Sequence, residues 1–125
     1  MTVTGFVTNS DKLDVKGINN YLTTAWGSTS TLEVNNLAVI TSDTITLTEG
    51  KLGTAANALT QVVTSANAFS QSGQKTYIAI AASGGTNVYE ITNDATQGLG
   101  ADDTVKLIAT VSGSTLVAGD FTYTG

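Results

Sequence analysis

A chain of 125 residues with a formal net charge of −5 supports one hydrophobic core, so a single domain over 1–125 is expected. Its five basic residues are all lysines and form no cluster, which leaves nothing to track a phosphate backbone and excludes nucleic acid as a partner. Histidine and cysteine are absent, which removes the neutral-pH general base, the thiolate, the disulfide and the N/S ligands of zinc or copper, so a bound metal would be a hard one such as calcium.

The first run, "MTVTGFVT", alternates Val3, Gly5 and Val7 against Thr2, Thr4, Phe6 and Thr8, the pattern of a short strand. It has neither a basic n-region nor an apolar h-region, so no Sec-type signal peptide is expected. No stretch of the chain reaches the length of an apolar membrane span. After the turn "NSD", Leu13 and Val15 share one side of "KLDV", and Ile18, Leu22 and Trp26 recur at spacing four. "TLEVNNLAVIT" reads as strand material interrupted at Asn35-Asn36. "SDTITLTEG" alternates, with Ile45 and Leu47 inward and Thr44, Thr46 and Thr48 outward.

The period then changes. Leu52, Ala55/Ala56, Leu59, Val62/Val63, Ala66 and Phe69 recur every three to four residues, which predicts an amphipathic helix over about 53–70 lying on a sheet face. "KTYIAIAA" and "NVYEIT" flank "SGGT", a strong hairpin signal. An acidic loop over 93–103 leads into "DTVKLIATV" and the tail "SGSTLVAGDFTYTG". The expected fold is mainly β, a sandwich or roll-like domain with that one helix. Its core is expected to hold Leu13, Val15, Leu37, Val39, Ile45, Leu47, Leu59, Phe69, Ile78, Ile80, Val88, Ile91, Val105, Leu107, Ala109 and Phe121.

The acids gather at two places. Asn93, Asp94, Asp102 and Asp103 supply oxygens for a calcium site, and Gly98 and Gly100 let backbone wrap an ion. The other reading makes them turn residues that cap loop N–H groups, since the loop lacks the alternating D-x-D ligands of an EF-hand. Asp11 and Asp14 raise the same pair of alternatives more weakly. Asp43, Glu33, Glu49 and Glu90 stand alone and read as solvent-facing. Tyr77, Tyr89 and Trp26 are either packing residues or the lining of a sugar-binding face. Without histidine, cysteine, arginine or a Gly-x-Ser-x-Gly elbow the acids have no catalytic helpers, so no enzyme is expected.

Two stretches carry a resemblance. "VTGFVTNSDKLDVKGI" is similar to the "F-x-x-G-x-D-x-L-D-L-S" segment of RTX-type proteins exported by bacterial type I secretion, with Asn9-Ser10 where relatives often have Gly before the first Asp. "GQKTYIAIAASGGTNVYEITND" through "GSTLVAGDF" resembles the ends of those proteins and of related S-layer proteins, closing on "L-x-x-x-D-F". The calcium-binding glycine/aspartate nonapeptides of the family are missing. The resemblance implies a secreted, extracellular or cell-surface module with its export signal at an uncleaved C-terminus, and it favours a calcium role for Asp11 or Asp14.

Charged residues make up 12 % of the chain, about half the usual share, and threonine is the commonest residue. Such a surface suits contact with neighbouring copies. An extracellular structural protein is therefore expected, a homo-oligomer or polymer building a filament, surface layer or biofilm matrix. Residues 1–8 would act as an exchangeable terminal strand, with Thr2, Val3, Thr4, Phe6 and Val7 pairing with a neighbour. The alternative is a secreted monomeric adhesin that binds surface glycan.

Overall fold

The computed structural model describes residues 2–14, 27–28, 31–33, 37–40, 45–56, 59, 64–67, 72–94, 100–117 and 120–122. The strands in chain order begin with β1 (Thr2–Val3), β2 (Leu13–Asp14), β3 (Gly27–Ser28), β4 (Thr31–Glu33) and β5 (Leu37–Ile40). They continue with β6 (Gly50–Lys51), β7 (Thr64–Asn67), β8 (Lys75–Ala82), β9 (Gly85–Thr92), β10 (Thr104–Ser112) and β11 (Phe121–Thr122). The protein is mainly β.

The alternating runs around the glycine pair form the expected hairpin. β8 and β9 pair antiparallel from Lys75↔Thr92 to Ala82↔Gly85, with Ser83 and Gly84 at the turn. β10 adds antiparallel to β9, and β5 adds parallel to β8. The order is β1-β10-β9-β8-β5-β3, with β6 also on β10. Two small parallel pairs, β2–β11 and β4–β7, accompany this mixed sheet.

Both faces of the sheet are covered, because side chains alternate and both alternating sets are apolar. Ile78, Ile80, Tyr89, Ile91 and Val105 pack on one face with Ile45, Leu47, Leu52, Ala56 and Leu59. Tyr77, Ala79, Val88, Ala109 and Val111 pack on the other with Phe6, Leu13, Leu116 and Phe121. The two ends of the chain therefore close one face, and the middle segment closes the other.

A bulge divides β10 between these cores. Leu107 pairs with Tyr89 and Ala109 with Val88, so Ile108 is the extra residue. A bulge breaks the period of two, so Val105 and Leu107 face the first core while Ala109 and Val111 face the second. Without it, one side of the strand would carry all four apolar residues.

Of the expected core, the members among the described residues are buried, except that Leu107 is half-buried. Val15 and Phe69 lie outside the described residues, as do Ile18, Leu22, Trp26, Asn35, Asn36, Asp43 and the loop centre 95–99. Ile45 and Leu47 are buried and Thr46 and Thr48 exposed, although residues 45–48 join no ladder.

The helix expected over 53–70 needs correction. Ala55, Ala56 and Leu59 are helical, but Thr64–Asn67 is strand β7, paired parallel to β4. Pairing of Thr64 with Thr31 and of Asn67 with Glu33 takes these residues out of the helical pattern, a tertiary contact that overrides local periodicity. The first strand is also shorter than "MTVTGFVT": its ladder covers Thr2–Val3, and Gly5, at φ 73°, takes the chain out of the extended form.

Candidate functional site

The N-terminal segment, residues 2–14, docks on the far end of the chain. β1 runs parallel to β10 at the sheet edge, with Thr2 opposite Thr110 and Val3 opposite Val111. The Ser114 hydroxyl donates to the Phe6 carbonyl at 2.8 Å. Farther on, Leu13 and Asp14 of β2 pair with Phe121 and Thr122 of β11. Phe6 and Leu13 turn into the core while Val7 stays exposed.

Asp120 is the hub of this docking. Its carboxylate is 0 % exposed and accepts three hydrogen bonds: the Thr8 hydroxyl at 2.6 Å, the Asn9 N–H at 2.8 Å and the Val117 N–H at 3.0 Å. Burial opposes ionisation, but these donors, helped by the charge of Lys12, outweigh it and hold the carboxyl below its ordinary range. Asn9 has φ 67°, a left-handed conformation that asparagine tolerates better than other side-chain-bearing residues. Val7 and Val117, both exposed large apolar residues, adjoin the groups that bind Asp120.

The residues expected to serve self-assembly thus divide. Thr2, Thr4 and Val7 are exposed; Val3 is half-buried and Phe6 buried against the subunit's own second core. Asp11 acts within its turn, where its carboxylate accepts the Val7 N–H at 2.8 Å and its own N–H donates to the Val7 carbonyl. Asp14 pairs with Thr122 in the β2–β11 ladder.

The acidic loop is organised by one of its acids. Asp103 is 0 % exposed; one carboxylate oxygen accepts the Asp94 N–H at 3.1 Å and the other accepts the Gly100 N–H at 2.8 Å. Burial pushes its pKa up, the two N–H groups pull it down, and the nearby Asp94 charge raises it further; the balance is upward. Asn93 is buried, and its N–H donates to the Gln74 carbonyl at 2.7 Å. Asp102 is exposed, and its carbonyl accepts from the Lys51 ammonium at 3.1 Å. Asp94 and Asp103 are therefore brought together, and Asp103 caps loop N–H groups. Among the described residues no three acidic side chains converge on one point that could hold a metal ion. Replacing Asp103 by alanine strands the Asp94 and Gly100 N–H groups and is expected to cost about 2 kcal/mol, read by urea unfolding.

Tyr77 and Tyr89 are buried packing residues. The Tyr77 hydroxyl donates to Glu90 at 3.3 Å, and burial together with the Glu90 charge pushes its pKa well up. Glu90 also meets Lys75 at 3.4 Å, so it is not the isolated acid its sequence context suggests.

Sequence reasoning missed Asp120 and Ser114 as site residues. The signal for Asp120 was a single acid in the apolar context "LVAGDF". Comparison with known protein families, curated proteins and solved structures gives no match.

Proposed function

We propose that this protein is an extracellular structural subunit that assembles with copies of itself into a filament, surface layer or matrix. The observation that carries the reading is the sheet edge at β1. The edge strand is held by a ladder of two residue pairs, and residues 2–10 carry no charged side chain. Sheet edges are ordinarily guarded by lysine, proline or a covering element, because unpaired N–H and C=O groups recruit other strands. Here an uncharged ribbon ends the sheet and runs on to the exposed Val7, which suits strand pairing between copies.

In this reading the acids serve structure and not catalysis, and export follows the type I route that the resemblance implies. Calcium supports the fold outside the cell at the 93–103 loop through Asn93, Asp94, Asp102 and Asp103, with Asp11 and Asp14 as a separate and weaker place. Extracellular calcium modules bind at about 10⁻⁴–10⁻³ M. Millimolar calcium is accordingly expected to raise the melting temperature and chelator to reverse the gain; identical melting curves with and without calcium would remove the ion from the account.

The edge itself is tested by charge. Thr2→Lys with Thr4→Lys places two ammonium groups on exposed positions of the ribbon. Polymers seen by electron microscopy for the natural chain should disappear, while far-UV circular dichroism stays unchanged because neither side chain is buried. Undiminished polymers in the double variant would exclude the addition of a strand to the outside of β1. A chain that stays monomeric at high concentration and binds on a glycan array would instead identify a monomeric adhesin.

A further inference from the structure

Resting on the self-assembly reading, we propose that the unit exchanged between copies is the whole segment 2–14, and that its receptor is the C-terminal surface of a neighbour formed by Thr110, Val111, Ser114, Asp120 and Phe121. This differs from adding a strand to the outside of β1. Addition needs only backbone pairing, whereas exchange transfers every contact of the docked segment.

Three features argue for exchange. First, the docking contacts join residues far apart in the chain, such as Thr8 with Asp120 and Phe6 with Ser114. An identical segment from another copy satisfies them equally well, which makes such a swap a low-cost route to assembly. Second, the receptor is braced by contacts that do not involve the segment. Thr86 donates its hydroxyl proton to the Ser114 carbonyl at 2.9 Å and accepts the Leu116 N–H at 2.9 Å. The Val117 N–H holds Asp120, and the Asp120 N–H donates to the Val117 carbonyl at 2.9 Å.

Third, the receptor is chemically demanding. Without Thr8 and Asn9, the Asp120 carboxylate would lose two of its three hydrogen bonds named above. A poorly paired buried carboxylate is costly, so a segment with a hydroxyl and an N–H in this geometry is recruited from its own chain or from a neighbour's. Phe6 and Leu13 fix the register on either side by filling the second core. Donor and receptor are different surfaces of one subunit, so the contact is head-to-tail. Repeated without closure it gives an open polymer.

Two full-length variants test the exchange. Phe6→Asp spoils the segment and leaves the receptor intact; Asp120→Asn spoils the receptor and leaves the segment intact. Each alone is expected to form no polymer, and mixing them should yield a 1:1 two-chain complex in native mass spectrometry. A polymerising natural chain whose folded variants fail to pair overturns the exchange and leaves assembly standing. A monomeric natural chain whose variants still pair supports the exchange and removes the assembly reading. Should either variant lose its circular dichroism signal, the otherwise natural chain decides. Two batches carry single cysteines, one at Thr4→Cys and one at Ser112→Cys, both exposed positions in a cysteine-free protein. These positions follow directly on the Val3–Val111 pair, so a disulfide between batches in mixed polymers supports exchange, and polymers that never cross-link between batches overturn it.

Discussion

Replacing Asp120 by alanine is expected to destabilise the protein by about 3–4 kcal/mol, the largest loss for any single acid here. The Thr8 hydroxyl and the Asn9 and Val117 N–H groups all lose a charged acceptor in a part-buried place. A hydrogen bond to a charged group contributes about 1.5–3 kcal/mol, and rearrangement with water entry recovers part of the sum. The loss falls on the docking of both chain ends, so amides of residues 7–9 should lose hydrogen-exchange protection before those of β8 and β9. Equal loss of protection in all three places would mean that Asp120 supports the whole sheet and not the N-terminal segment.

The same residue sets an acid limit. Its folded-state pKa lies below the unfolded value of about 3.9, so its contribution is complete above that value and fades as the pH falls through the lower folded value. Asp103 works in the opposite sense. Its raised folded-state pKa makes its charged form a penalty at neutral pH, relieved as acid protonates it and gone below the unfolded value. Acid should therefore free the N-terminal segment while the Asp103 loop holds, which a pH series of backbone amide spectra would reveal. Loss of the loop signals first would refute this order.

Gly85→Ala is expected to cost about 3 kcal/mol. Gly85 faces Ser112 in the β9–β10 ladder, and a Cβ there would run into the Val111 carbonyl. That oxygen belongs to the backbone, so no side-chain rotation relieves the contact. The end of β10 must move, and with it the partner of Val3 in β1. Equilibrium urea unfolding measures the cost, and a loss below about 1 kcal/mol would show that this end of the sheet yields freely.

Much of this fold is legible in the chain. The alternating runs beside Gly84-Gly85 specify β8 and β9, and "TYIAIAA", apolar on both sides, anticipates a strand covered on both faces. What escapes is decided by contacts distant in sequence. A period-two reading places Val105, Leu107, Ala109 and Val111 together, and only pairing with β9 reveals the bulge at Ile108 that divides them. The three-to-four spacing from Leu52 to Phe69 favours a helix, yet pairing of β7 with β4 prevails over it at Thr64–Asn67. Asp103 could be weighed from sequence because its acidic neighbours are local. Asp120 could not, since its partners Thr8 and Asn9 lie at the other end of the chain.

The central claim is that subunits join through their uncharged N-terminal edge. Light scattering on the purified full-length protein at neutral pH in millimolar calcium, over rising concentration, tests it most directly. The account predicts a mass that climbs past the dimer into open-ended polymers, and that returns to one subunit when Phe6, which docks the N-terminal segment, is replaced by aspartate. A mass fixed at one subunit across the whole range would contradict it.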